Sequence, residues 1–381
     1  MAQPINFAFG DDEKLLQDSA IKFFQDNLPT DKLHQLVAGN PDPNREPECL
    51  WDKGLWQQMV ELGWTTVIVP EADGGMGMNL VALTCLIEQA GKAALPSPFI
   101  ATANATLVLR ECDTPAAHRL LGEIAAGKSA TLATTTKNGS WLSGDCDITL
   151  KNGELTGTAY FVQDARKVDT LVVKAQSNEG IALYEVPVDH AGVEIIPDGV
   201  IDLTRDQAHI NFKKVKVNDA LLLAKAQGGV AALDRAEPGI LILAAADMCG
   251  AAEWQLQTTV EYAKVREQFG RQLGFFQALK HPMVNMMIMI DQAKSLVYNA
   301  ACAADAEPEN TPKFARMANA AASEAAAYCS NRSIQFHGGI GFTWECYIHL
   351  YTKRQKHNQI LYGDAKYQRA KLAELLMGPT S

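Results

Sequence analysis

The hydrophobic periodicity of this 381-residue chain changes twice, and that double switch limits its fold more than any other feature. Up to about residue 127, apolar residues recur at helical spacing. Asp12–Asn27 sets Leu15, Ile21, Phe23 and Phe24 at that spacing, and Leu55–Leu62 continues the pattern. Trp64–Val69 breaks it as a short extended run ending at Pro70, followed by the flexible loop Asp73-Gly74-Gly75-Met76-Gly77. Helices are predicted again over Leu80–Ala90, Ala101–Glu111 and Pro115–Ala126.

From Lys128 to Ala220 the period falls to two. Asp147–Lys151 and Glu154–Gly157 flank Asn152-Gly153, a pair that readily takes the positive φ angles of a type I′ hairpin turn. Further strands are predicted at Thr170–Ala175, Ile181–Val188, Val193–Ile196 and Ala208–Val217. Beyond Leu221, Ala-rich helices return over Gly239–Glu267, Gln277–Ala304 and Pro312–Phe336. Met283, Met286, Met287 and Met289 crowd one of them, as core or subunit-interface packing. The expected fold class is α+β: an N-terminal all-α domain (1–127), a small central β barrel or sandwich (128–220) and a C-terminal four-helix bundle (221–381). The chain lacks both βαβ alternation and a G-x-G-x-x-G turn, which argues against a Rossmann cofactor site.

Charge and cysteine usage narrow the function. A formal charge of −10 with no basic stripe argues against nucleic acid, whose phosphates need clustered Lys and Arg. The eight cysteines are scattered without a C-x-x-C pair or Cys/His ligand spacing, so reduced thiols are expected, with no disulfide frame and no metal site. Met1 to Leu15 is polar and acidic, and the longest apolar runs, such as Ile240–Ala246, are short for a membrane span. A cytoplasmic protein is the expectation.

Three segments stand out. Trp64 to Gly77 is one. Tyr262-Ala263-Lys264-Val265-Arg266-Glu267-Gln268-Phe269-Gly270, with Phe276-Gln277 and His281 after it, is the second. Gln335-Phe336-His337-Gly338-Gly339-Ile340-Gly341 is the third. Arg266 offers a planar fork suited to a pyrophosphate, Phe269 an aromatic face, and the glycines a backbone that a phosphate can approach. Taken singly, each has a plainer reading. Arg266 can pair with Glu261 or Glu267, Gly338-Gly339 can end a helix, His337 and His281 can be packed, and Trp344 can be structural.

In this order and spacing the three segments resemble the acyl-CoA dehydrogenase family, over essentially the whole chain. The resemblance implies FAD as cofactor, held partly by a neighbouring subunit, and hence a homodimer, a homotetramer or a heterotetramer with a related chain. It assigns Arg266, Gln268, Phe269, Gln277, Gln335, Gly338 and Gly339 to FAD. Phe161 and Gln163 stand where the family has a flavin-facing Trp and Thr. It also implies an acyl-CoA substrate, whose α-proton goes to a carboxylate and β-hydride to flavin, and an electron-transfer flavoprotein as acceptor. Some relatives of this kind handle bulky ring or steroid side-chain thioesters.

The chain departs from the family pattern at the base. The usual Glu falls at Tyr362, followed by Gly363, and the alternative position on the preceding helix falls at Ile240. Asp364 is a candidate base. It is equally a candidate N-cap for a helix over Ala365–Met377. Glu237 is a further base candidate. The region Ala133–Trp141 lacks the family's Glu-Pro and Gly-Ser-Asp elements. Three alternatives therefore stand beside a self-sufficient dehydrogenase: a supporting subunit without its own base, an oxidase or monooxygenase on the same scaffold, and a scaffold that has lost flavin.

Overall fold

The computed structural model describes residues 10–38 and 48–378, so the first nine residues of the polar N-terminal stretch lie outside it. Six helices open the chain: α1 (Asp11–Asn27), α2 (Thr30–Ala38), α3 (Lys53–Glu61), α4 (Leu80–Lys92), α5 (Phe99–Leu109) and α6 (Pro115–Ala125). Side-chain caps start three of them. Asp52 accepts from the Gly54 and Leu55 amides, Asn79 from Ala82, and Thr114 from Ala117. Residues of α4 and α5 are buried all round, as expected of core helices. Trp64 anchors the unit, its ring against Phe23, Phe24 and Phe99.

The extended run expected at Trp64–Val69 is instead a series of turns. The Met76 amide donates to Thr66 O and the Gly77 amide to Val69 O, folding the glycine loop back over the run. Trp64, Val67, Ile68 and Val69 are all buried, so their hydrophobicity reflects burial in the domain core rather than a strand.

The middle unit is one eight-stranded sheet: β1 (Ala130–Ala133), β2 (Ile148–Lys151), β3 (Glu154–Gln163), β4 (Thr170–Ser177), β5 (Gly180–Pro187), β6 (Val193–Pro197), β7 (Gln207–Lys216) and β8 (Leu222–Ala224). Its order is β6-β7-β3-β2-β4-β5-β8, with β1 parallel to β4. Asn152 and Gly153 turn β2 into β3 at φ 52° and 73°, the left-handed pair the hairpin reading requires. Two strands, β1 and β8, were not foreseen, and β8 lies just beyond the boundary drawn at residue 220. Alternation on β4 gives Val172 to the helical core and Leu171 and Val173 to the sheet's own core.

The C-terminal unit holds α7 (Gly229–Val265), a two-residue-strand hairpin of β9 (Glu267–Gln268) and β10 (Arg271–Gln272), then α8 (Gln277–Ala306), α9 (Thr311–His337), α10 (Ile348–Ile360) and α11 (Ala365–Met377). The helix α7 starts well before Gly239 and carries Pro238 within it. By length and composition it could cross a membrane, yet 72% of its most apolar window is buried inside the protein. It is the central core helix. It meets α4 backbone to backbone: a Cβ on Gly250 would lie 1.9 Å from Glu88 O, and one on Gly91 2.3 Å from Asp247 O. Met283 and Met286 are core residues of α8, whereas Met287 is exposed beside Val284 and Ile288.

Candidate active site

Two sets of residues converge at one end of the bundle. Tyr262, one turn before the end of α7, stacks its ring 4.3 Å from that of His337 at the end of α9. That contact sets the Arg266 hairpin beside the Gly338-Gly339 turn. Arg266 leaves α7 in extended conformation, and Phe269 (φ 53°) and Gly270 (φ 69°) form the hairpin tip in successive left-handed states. The Phe269 ring is 91% exposed, an unusual position for so large an apolar group. Arg266, Gln268, Gln277 and Gln335 are exposed on the same elements. Glu261, one possible partner of Arg266, is taken by Lys264 at 2.5 Å.

Gly338 (φ 64°) closes α9, its amide donating to Gln335 O and Ile334 O, so the helix-end reading is correct as far as it goes. Glycine is also needed sterically by nothing nearby: a Cβ on Gly338 or Gly339 would meet no atom within 4 Å. The open space beyond these backbones is what a phosphate or ribose would occupy. This surface fits the adenine and pyrophosphate end of a flavin dinucleotide. His337 is packed, with Nδ1 donating to Ser333 O at 2.8 Å. Trp344 is packed edge-on to His349.

A second site lies between β3, α5 and the turn after α10. A register shift between Ala159 and Val162 bulges β3, and Phe161 takes φ 55° there, a strained state for a bulky residue. The bulge turns the ring outward, 37% exposed, over a small cavity lined by Asn104, Thr134, Trp141, Gln163 and Tyr362. The outward Phe161 ring offers a stacking face for a flat ring at the mouth. Gln163 sits beneath it, within 2.9 Å of His357 Nε2.

Tyr362 occupies the expected base position and is no base. Its hydroxyl accepts from Asn104 Nδ2 at 3.1 Å, and burial pushes the phenol up to about 12. Asp364 faces away from this chemistry. It caps α11, accepting from the Tyr367 amide at 2.8 Å, is exposed, and lines neither cavity. Tyr362 also borders a larger cleft of about 360 Å³, which holds Ile240, Glu237, Arg316 and Lys174. There Arg316 donates to Glu237 at 2.6 Å and to Gln368 at 2.8 Å, and Gln368 donates to Tyr362 O at 2.6 Å. Glu237 is thus the foreseen carboxylate that reaches the cleft.

Asn104, Arg205, Asp247, Arg316, His357 and Asn358 were missed by sequence reasoning. One signal was available: Asp247 is an acid inside the long apolar stretch of α7. Among the described residues no group of three or more His, Cys, Asp or Glu side chains could hold a metal ion.

A helical unit, a small sheet and a helical bundle, with an aromatic-lined cavity and an open glycine turn, point to the class of flavin-dependent oxidoreductases. Residues 10–128 match the acyl-CoA dehydrogenase N-terminal domain and residues 242–377 the acyl-CoA dehydrogenase C-terminal domain. "Acyl-CoA dehydrogenase IpdE2" of Mycobacterium tuberculosis is 34% identical over 309 residues, 80% of each chain. The solved structure of the "Tcur3481-Tcur3483 steroid ACAD G363A variant" is 27% identical with a TM-score of 0.85, covering 96% of this chain and 98% of that one. The butyryl-CoA dehydrogenase of Megasphaera elsdenii shares the fold at a TM-score of 0.85 and 23% identity, covering 98% of this chain and all of the other. The chain belongs to the acyl-CoA dehydrogenase family of flavoprotein oxidoreductases.

Proposed function

We propose that this chain is a FAD-binding subunit of a heteromeric acyl-CoA dehydrogenase in which a second, related chain supplies the proton-abstracting carboxylate. One observation carries the reading: a phenol stands where the base belongs, and the nearby Asp364 is spent on a helix cap. Relatives described as pairs, the Tcur3481-Tcur3483 steroid ACAD and the ChsE4-ChsE5 complex of Mycobacterium tuberculosis, support a two-chain assembly. FAD supplies the hydride acceptor. Arg266 pairs with its pyrophosphate, Phe269 covers the adenine, and Gln268, Gln277, Gln335 and the Gly338 and Gly339 amides take its remaining polar edges. Phe161 and Gln163 meet the ring system at a different surface of the chain, so a single FAD draws on two chains. The 360 Å³ cleft takes the thioester. An electron-transfer flavoprotein in the cytoplasm is the acceptor.

Anaerobic mixing with an acyl-CoA tests this. The full chain alone should keep its flavin band, and the chain co-purified with its partner should bleach. Bleaching by the chain alone overturns the assignment. A second reading then applies, favoured by Glu237 in the cleft with 40% of its side chain exposed. Under it Glu237 is the base, and Glu237→Gln should lower the bleaching rate roughly 10²- to 10⁴-fold.

A further inference from the structure

The hydrogen-bond directions around Gln163 are fixed by their partners. Its Nε2 lies 3.0 Å from Phe161 O and 2.8 Å from Gln207 Oε1, and its Oε1 lies 2.9 Å from His357 Nε2. An amide's two ends look alike, so the network must decide which is which. Phe161 O is a carbonyl and can only accept, so the nitrogen of Gln163 must face it. Gln207 is fixed from its other end, where its Nε2 donates to the Asp198 carboxylate at 2.9 Å. Gln207 therefore presents oxygen to Gln163.

Both hydrogens of the Gln163 amide are thus used. Its oxygen faces His357 Nε2, so that nitrogen must carry the proton. Burial holds the imidazole neutral, its pKa pushed down to about 4. What Gln163 has left for the cavity is one lone pair on Oε1. It can accept a hydrogen bond there and cannot donate one.

We propose that Phe161 O and Gln207 fix Gln163 as a pure hydrogen-bond acceptor and that His357 is the positioning residue that holds its Oε1 in place, so that the cavity favours a bound ring bearing N–H over one presenting a bare nitrogen. This rests on the flavin reading above. A reduced flavin carries a central-ring N–H where the oxidised form has a lone pair, so Gln163 favours the reduced cofactor. Without His357 the amide keeps its nitrogen on Phe161 O and Gln207, but its oxygen is no longer held in place and the preference weakens.

The test is the flavin reduction potential of the full chain with its bound FAD, by dye equilibration. Gln163→Leu and His357→Phe should each weaken the preference for reduced flavin roughly fivefold to tenfold. Tenfold is about 30 mV for a two-electron couple. His357→Gln, which keeps a donor, should stay near wild type. ¹⁵N NMR of the wild-type chain should show His357 as the neutral Nε2–H tautomer, which decides the matter should His357→Phe not fold. A flavin-bearing chain with unchanged potentials, or His357 protonated on Nδ1 alone, overturns the inference and leaves the flavin reading intact. A chain that binds no flavin brings down both.

Discussion

Arg205, in the loop before β7, donates to Asp247 of α7 across 2.5 Å, and this contact fastens the sheet to the bundle beside the cavity under Phe161. Asp247 turns its other oxygen to Arg354 of α10 at 2.6 Å, and Asn358 donates to it as well. All four side chains are buried. Burial pushes the Asp247 carboxyl up, but Arg354 and Arg205 outweigh it and hold the group below its ordinary value. The lock joins the middle unit to the two helices that frame the cavity.

Asp247→Asn keeps the volume and removes the charge, leaving two buried guanidinium groups without the carboxylate they share. A loss of about 3–5 kcal/mol is expected, as for other broken buried pairs. Urea unfolding checks it. A loss below about 1 kcal/mol would mean that Asn358 and water carry the arginines unaided.

Gly250→Ala tests the α4–α7 contact. The added methyl would overlap Glu88 O at 1.9 Å and the Lys92 amide at 2.7 Å, both backbone atoms in a helix. Separating the helices would also strain the half-buried ion cluster beside them, where Lys294 meets Glu88 at 2.8 Å and Lys92 meets Glu253 at 2.7 Å. Overpacking of this kind costs about 1–3 kcal/mol or more, so the melting temperature should fall by several degrees.

Asp364 separates a cap from a base by two substitutions. Asn caps as well as Asp, whereas Ala cannot. Asp364→Asn should match wild type in stability and in flavin reduction by the assembled enzyme. Asp364→Ala should lose about 1 kcal/mol. Abolished turnover in the Asn variant with stability unchanged would restore Asp364 as the base.

The pattern of these residues explains what was legible. Period-two and helical-period blocks gave the helix–sheet–helix order because strands such as β3 and β7 and helices such as α3 and α6 bury one apolar face. Asn152-Gly153 and Asp364 were readable because their roles are local: a left-handed turn and a cap three residues from its amide. The helix α10 was invisible. It buries Ile348, Leu350 and Tyr351 in its first turn, but beyond that turn its buried face is Arg354, Gln355, His357 and Asn358, satisfied by Asp247, Met248 O and Gln163, so the apolar spacing stops after one turn. The exposed hairpin and turn that hold Arg266 and the glycines could be read, since unusual residues stand there. The cavity network could not, because Arg205 meets Asn358 across 153 positions of sequence.

Arg266→Ala addresses the cofactor surface. The residue is exposed at the end of α7, so folding stability should change by less than about 0.5 kcal/mol. Loss of a bidentate charged contact to a pyrophosphate, about 1.5–3 kcal/mol, should weaken FAD binding at least tenfold. Visible flavin absorbance per chain is the measurement. An undiminished yellow colour would remove Arg266 from the site.

The pH profile should carry the signature of His357. Burial lowers its folded-state pKa to about 4 from the ordinary 6.5. A base whose pKa is depressed on folding binds its extra proton in the unfolded chain. Its contribution is therefore complete above pH 6.5 and is lost as pH falls from there toward 4. At 1.36 kcal/mol per unit the full loss is about 3 kcal/mol. His349, lowered to about 4 chiefly by burial, acts in the same sense. Asp247 adds to the decline only below its ordinary 3.8, so the two ranges can be separated. Urea unfolding from neutral pH downward should show stability falling between 6.5 and 4, and His357→Gln should flatten that slope. Parallel slopes in the two proteins would show that His357 is not held neutral.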